Sequence, residues 1–500
     1  MWGYRNLQGS MEGEMLQLVK DVKLTNYEET FNKQNSASER VDFVYNLLKK
    51  SPLFTKIVTE SSPKKSNEMS VEQRTKGNDL YVRDKQFLEA LGCYTQSIAY
   101  AEGGSSFLGL AYANRSSVLF AGKYYKECLE DIERAFQNNY PDHLKEKLLK
   151  RKRNAENLKA QQKPLNYYTP VTPLQNKNAL IPAASDTVEI RKNEKYGRHI
   201  VATKNIKIGD IISVENSFAH MIHSECPPVH CHECLDLCYN LIPCEKCSDA
   251  LYCSELCMKQ AFNSHHKYEC DFISLFQRHR LLFVRMVLKG LKQRETMDDT
   301  TLAGVYRSDR FKEIIELATN EDKKDYLNTC IHMAMVCVSY HVLMENSSFR
   351  NDFDVDKIHN DLKQLLYQAF MPPDEISHLN IFCALVCFRI SYSTTEISRR
   401  RLVLKKNYLF DCDCKACVKK WPTLNDLPLG QHVPLWFEEK TTRNTFEDTE
   451  SNRRLLDELL VEAVPIYNKL EKYEPCQNLL KMQDLFTEIY SYMGCKDLDF

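Results

Sequence analysis

Between Cys231 and Cys270 the chain reads Cys231-x2-Cys234, Cys244-x2-Cys247, Cys253-x3-Cys257 and His266-x3-Cys270. Zinc takes four such ligands in a tetrahedron, and a tight Cys-x2-Cys turn brings two thiolates to one ion. Eight ligands therefore predict two zinc ions. So short a stretch, poor in large apolar residues, builds no core of its own, and metal binding must supply its folding energy. Interleaving staples it most compactly, so the first and third pairs are expected to share one ion and the second and fourth the other. Free thiols or disulfides are the plainer alternatives, but the paired spacing favours metal. Cys226 and Cys238 fall outside the pairs and read as ordinary small residues. A second cluster, Cys412-x-Cys414-x2-Cys417, offers three thiolates, one short of a closed structural site.

The rest of the chain must position these groups. Five hundred residues suggest about two to four domains. Apolar residues make up 43%, enough for ordinary cores. Lys+Arg number 67 against 68 Asp+Glu, so no global field favours nucleic acid. Met1 to Lys20 lacks an apolar signal core, and no stretch reads as a membrane span. Twenty cysteines without a secretory signal point to a reducing compartment, so cytoplasmic and nuclear residence is expected.

Residues 1–68 read as a polar N-terminal region with a few helical stretches, such as Arg40 to Lys50, and Ser61 to Ser66 as a linker. Residues 69–160 hold an internal repeat. Lys76-Gly77-Asn78 is read as opening a helix. Ala90, Tyr94 and Ser97 recur as Cys128, Ile132 and Ala135, each 38 residues on. That is a helical hairpin somewhat longer than the TPR unit of about 34 residues. The surplus fits the loop Gly103-Gly104-Ser105-Ser106, and small residues at 77, 90, 97 and 135 let the helices approach closely. Such units resemble TPRs, whose concave face takes a partner peptide; a plain helical spacer is the alternative. The next helix carries Lys145, Lys147, Lys150, Arg151, Lys152 and Arg153, read as a solvated face.

Pro164 to Ser185 is a linker. Short strands are expected at Val188 and Ile190, at Ile200 and Ala202, and from Ile211 to Val214. Helical spacing then marks Leu281–Leu291, Phe311–Thr319 and Tyr326–Leu343, and later Asn452–Leu470 and Asn478–Met493.

The cysteine pairs, with Tyr252-Cys253-Ser254 and His266-x3-Cys270, resemble a MYND finger. Tyr196-Gly197-Arg198-His199-Ile200, just upstream, resembles the opening of a SET domain. The order, with TPR-like units in front, is similar to that of the TPR-bearing SET-and-MYND (SMYD) proteins. The resemblance implies an α+β multidomain chain: polar N-terminal region 1–68, TPR-like repeats 69–160, the N-terminal part of the SET domain 183–226 and the MYND finger 231–270. A helical SET insert 271–390, a C-terminal SET and post-SET remnant 391–420 and helices 421–500 follow. It implies S-adenosylmethionine-dependent protein-lysine N-methylation, with Tyr196, Gly197, Arg198 and Phe410 at the cofactor and Cys412, Cys414 and Cys417 at a third, weak zinc site. The implied partners are a protein substrate with a target lysine and peptides for the TPR and MYND modules, with no membrane.

One departure matters. The family carries an Asn-His-Ser-Cys-x-Pro-Asn segment and a later Tyr-Gly strand end, which bind the cofactor, supply the fourth post-SET ligand and orient the lysine. Here Ile381 to Ile390 runs directly into Ser391-Tyr392-Ser393-Thr394-Thr395. A block near residue 390 is missing, as splicing or an error in the gene model would leave it, and no catalytic residue is assigned. A non-catalytic TPR/MYND interaction module is therefore the alternative function. Nucleic-acid binding is disfavoured, because Glu233, Asp236, Glu245, Asp249, Glu255 and Glu269 would repel phosphates.

Overall fold

The computed structural model describes residues 8–162, 174, 176–194, 197–207, 210–222, 228–276, 280–296, 305–307, 309–311, 325–370, 396–407, 411–413, 415–430, 433 and 450–494. It begins with helices α1 (Gln8–Asp21), α2 (Glu28–Asn32), α3 (Ala37–Leu48) and α4 (Pro52–Thr59). Ser36 caps α3 by accepting from the Glu39 amide; Ser51 caps α4, with Pro52 in its first turn.

The helical stretch expected at residues 40–50 falls largely within α3, and the region around it is more than polar filler. Leu18, Val19, Val41, Val44, Leu48 and Phe54 are all buried, in one core with Met333, Val336, Cys337 and Leu365. Each helix is short and sets one apolar stripe among many polar residues. Val41, Val44, Tyr45 and Leu48 recur at helical spacing, although the average composition is polar.

Helices α5 (Asn67–Asp79), α6 (Phe87–Tyr100), α7 (Ser106–Ala121), α8 (Tyr125–Gln137) and α9 (Lys145–Leu158) pack in succession, and α7 also lies against α5 and α9. The three residue pairs 38 apart are all buried between them. Lys76-Gly77-Asn78 ends α5 rather than opening it; the chain passes from there into a π turn, Leu80–Asp84. Gly77 is needed there, since a Cβ would come within 2.7 Å of the Tyr94 ring. Arg115 on α7 and Asp131 on α8 have fully buried side chains and form two bonds, of 2.7 and 2.9 Å. Arg134 joins Asp131 at 2.9 Å.

Strands β1 (Val188–Asn193) and β2 (Gly197–Ala202) form an antiparallel ladder in which Val188 faces Ala202 and Asn193 faces Gly197. The expected strand at 211–214 contributes a single bridge, Ser213 to Ala184. The cysteine-rich segment contains β3 (Ile242–Pro243), β4 (Leu251–Tyr252), α10 (Glu255–Ala261), a π turn (Phe262–His266) and α11 (Lys267–Glu269). Beyond it come α12 (Ile273–Phe276), α13 (Arg280–Thr296), α14 (Tyr326–His341), α15 (Phe349–Asp352) and α16 (Val355–Phe370). The described C-terminal part holds α17 (Ile397–Asn407), α18 (Lys415–Val418), α19 (Glu450–Leu470) and α20 (Gln477–Gly494). Most of the Phe311–Thr319 helix lies outside the described residues.

Helix α14 and the π turn after it, Tyr326–Asn346, are long and apolar enough to cross a membrane, contrary to the sequence reading. Here they pack against α1, α3 and α16, and 67% of the apolar window is buried. That apolar character serves a helix surrounded by others.

Removing one member of a buried, hydrogen-bonded ion pair leaves an uncompensated charge and costs roughly 3–5 kcal/mol. Asp131→Ala should destabilise the repeat layer by about that amount in urea unfolding followed by far-UV circular dichroism, and more than Asp142→Ala, whose carboxylate is exposed.

Candidate metal centre

The cysteine-rich segment brings its eight donors together as two foursomes. Cys231, Cys234, Cys253 and Cys257 form one; Cys244, Cys247, His266 and Cys270 form the other, and within each the donor atoms lie within 4.8 Å of one another. This is the interleaved pairing. Sulfurs of Cys234 and Cys253 are 3.7 Å apart, Cys253 and Cys257 3.5 Å, Cys244 and Cys270 3.9 Å. A tetrahedron with metal–sulfur bonds of ~2.3 Å has edges of about 3.8 Å, whereas a disulfide would need ~2.05 Å. His266 turns Nε2 inward, 3.2 Å from the Cys244 sulfur and 3.6 Å from that of Cys247. Donor types and spacings fit zinc.

Local backbone chemistry sets these positions. In each Cys-x2-Cys turn an amide points back at the first sulfur: Glu233 N at 3.4 Å from Cys231 Sγ, Lys246 N at 3.4 Å from Cys244 Sγ. Leu235 completes the first turn with φ 62°. The β3–β4 hairpin carries Cys244 and Cys253 at its ends, with Cys244 N bonded to Ala250 O at 2.9 Å. Ser254 caps α10 by accepting from the Cys257 amide, fixing that cysteine in the first turn. Helix α10 then widens into a π turn, Phe262–His266, and α11 follows, so His266 and Cys270 lie one turn apart.

The two sites differ in exposure. All four donors of the second are buried; in the first, Cys234 is exposed and Cys253 and Cys257 are more open. The second is an inner site, covered from two directions. On one side the supposed linker crosses it: Lys64 bridges Cys247, Ser248 Oγ donates to Pro63 O at 3.0 Å, and Ser62 N donates to Asp271 O at 2.6 Å. Lys65 Nζ donates to Ala99 O at 2.7 Å. Burial lowers the Lys65 ammonium from its ordinary range, opposed by Cys247, Cys244, Cys270 and Asp249. Burial also pushes the Asp249 carboxyl up to about 6, against the pull of His266 and Lys65. On the other side, Glu269 receives two bonds from Arg285 of α13, at 2.6 and 3.1 Å. The repeat layer meets the segment through Tyr124 and Tyr239, ring centres 4.9 Å apart, and through Arg134, which donates to Asn240 O at 3.0 Å.

Other expected site residues are placed more sparsely. Gly197 and Arg198 start β2, with the Arg198 guanidinium 5.9 Å from the Tyr306 ring centre. Tyr196 and Phe410 lie outside the described residues. So do Cys414, Cys226 and the whole stretch 371–395. Cys412 is half-buried and Cys417 buried. Cys238 bonds Asn240 and packs; Cys330 and Cys337 are core residues. Sequence reasoning missed Lys65 and Arg285 and saw Glu269 only as a charge. Its place three residues after His266, on one helix, was the available signal.

Elemental analysis of the purified chain should give two zinc ions from residues 231–270. A chelator should strip the open Cys231/Cys234/Cys253/Cys257 site before the inner one. Cys253→Ser should lower the count to one and leave the helices of residues 67–158 folded, because they have their own core.

No family profile matches the chain. It is 31% identical over 236 residues to a Danio rerio protein named protein-lysine N-methyltransferase SMYD4, covering 44% of this chain and 31% of that protein. The Mus musculus protein of the same name is 28% identical over 289 residues, 44% of this chain and 36% of the relative. The chain thus spans about a third of the length of these curated relatives. The Danio rerio N-lysine methyltransferase SMYD2-A is 22% identical over 343 residues, 59% of this chain and 74% of its own length. The homologues are thus SET-and-MYND (SMYD) proteins, and the chain's helical repeats fit the TPR-bearing kind.

Proposed function

We propose that the chain is built as an S-adenosylmethionine-dependent protein-lysine N-methyltransferase whose finger, residues 231–270, holds two zinc ions. The observation that carries this reading is an order of parts: the β1–β2 ladder bearing Gly197 and Arg198, then the two cages, in a chain homologous to named lysine methyltransferases. When bound, zinc supplies folding energy here rather than chemistry, since each cage offers four protein donors and leaves no open position. Three thiolates and a neutral imidazole around a divalent ion leave a single negative charge. Lys65, held beside the inner cysteines, offsets it.

Methyl transfer from a sulfonium to a neutral amine is an in-line displacement. It needs the two aligned and the amine desolvated, with no strongly tuned general base. In this reading Tyr196, Gly197, Arg198 and Phe410 border the cofactor. Cys412, Cys414 and Cys417 would hold a third zinc only weakly, for want of a fourth ligand. The segment that would align the lysine is the block missing near residue 390. Each lost charged hydrogen bond is worth on the order of 1.5–3 kcal/mol, so cofactor binding falls by powers of ten and transfer falls further. Radiolabelled methyl transfer to a protein extract should be near background for this chain and restored when the block is inserted. Equal rates from both would refute the reading.

A second reading, an interaction module, is favoured by the charges of the repeat layer. Lys145, Lys152 and Arg153 pair outward with Asp142, Glu133 and Glu146. Arg151 instead turns inward and donates to Ala113 O at 2.7 Å and Ser116 Oγ at 2.8 Å, both neutral. Burial holds its guanidinium below the ordinary range. Arg151 and Arg74 both act on the Tyr94 hydroxyl, which donates to Asn78 Oδ1 at 2.9 Å, and Asn114 donates to the same oxygen at 2.8 Å. Two guanidiniums and two amides on α5, α7 and α9 suit an acidic peptide. Fluorescence anisotropy with an acidic peptide should show salt-sensitive binding, weakened roughly 10-fold or more by Arg151→Met. Unchanged affinity would place the peptide elsewhere.

A further inference from the structure

The inner cage has a feature its ligand set does not explain. His266 Nδ1 is buried and has no hydrogen-bond partner, and Glu269 Oε1 lies 3.5 Å from it. That carboxylate cannot swing away. Arg285 grips both its oxygens, at 2.6 and 3.1 Å, and Arg285 is itself anchored by a 2.8 Å bond to His220 O. The Glu269 side chain is fully buried and that of Arg285 nearly so, so each needs the other. The His265 ring competes for the same oxygen from 3.6 Å.

We propose that Glu269 is a positioning residue for the inner metal. Held by Arg285 of α13, it accepts the Nδ1 proton of His266, which fixes the tautomer and leaves Nε2 unprotonated toward Cys244, Cys247 and Cys270. A histidine ligand depends on the group that holds its other nitrogen, and removing such a group costs about 10–100-fold in metal affinity. The spacing is what a helix provides. Cys270 N bonds His266 O, so residue 269 stands one turn beyond 266 and on the same side. The site thereby reaches into the insert: metal affinity at the finger depends on an arginine 15 positions after the last ligand.

This inference rests on the inner cage holding zinc, and the experiment separates the two. The full chain is compared with Glu269→Leu/Arg285→Met, which removes both buried charges together and so spares the core, and with Glu269→Gln/Arg285→Met, which keeps an oxygen acceptor. Zinc release to a colorimetric chelator gives affinity. Cobalt substitution distinguishes the inner site, with its one imidazole ligand, from the all-thiolate outer site by its absorption. The Leu/Met variant should hold the outer ion as before and the inner ion about 10–100-fold more weakly, with the Gln/Met variant in between. In a His266→Cys background the same substitutions should cost nothing, because no imidazole remains to be held. An equal loss there would show that Glu269 serves only the core and would overturn the proposal. Undiminished inner affinity in the Leu/Met variant would also overturn it. Should that variant not fold, nitrogen NMR of histidine-labelled, zinc-loaded wild-type protein decides: His266 must carry its proton on Nδ1, and a proton on Nε2 ends the idea. Wild-type protein with no inner zinc would end the metal reading itself, and this inference with it.

Discussion

Glu269 and Arg285 are both out of water, and neither could remain so without the other. A lone carboxylate or guanidinium at that depth would cost several kcal/mol. Together they fix the point where the cysteine-rich segment ends and the helical insert begins. Helix α13 repeats the device along one face: Arg285 donates to His220 O, Lys289 to Phe218 O, and Lys292 to Asn263 O and Ser264 O. Spacings of four and three residues put these cations on a common side. Their targets are carbonyls just before the finger and in the π turn within it. One helix therefore holds both ends of a segment that has almost no regular structure of its own.

The finger in turn lies between two separately built cores. Tyr252, Ala261 and Tyr268 belong to the core shared by the N-terminal helices and the insert, while Val229, Leu237 and Tyr239 belong to that of the repeats. A segment that cannot bury enough apolar surface to fold alone is thus the joint between the two bodies that can. In the methyltransferase reading its zinc ions are structural, and in the interaction reading the same finger borders the repeats that would take the peptide. The two functional readings then share one mechanical part.

The sequence made the metal cages legible because ligand type and spacing are local and few arrangements satisfy both. The repeat was legible for the same reason: Ala90 and Cys128, or Tyr94 and Ile132, carry their periodicity in plain view. What escaped was long-range or averaged away. Of the N-terminal helices only the stretch around Val41, Val44 and Leu48 was legible, and its burial in a shared core was not, since polar residues outnumber such a stripe. Arg285 has no signature in sequence, as its partner is identified only by folding. Helix α14 is as apolar as a membrane span because most of it is buried against other helices, and hydropathy does not tell lipid from protein. Tyr196, Phe410 and Cys414 lie outside the described residues, so their roles rest on resemblance.

The strap over the inner cage changes how residues 61–66 are to be understood. Their composition is that of a spacer, and a spacer tolerates insertion. Here Ser62 is tied to Asp271 and Ser274, Lys64 to Cys247, and Ser66 to Tyr100, all within five positions. What matters in this stretch is therefore its length. Many side chains could be exchanged, but one added residue would pull the ties out of register, separate the N-terminal helices from the repeats and uncover the inner cysteines. Among relatives, this segment should vary in letters and hold constant in count.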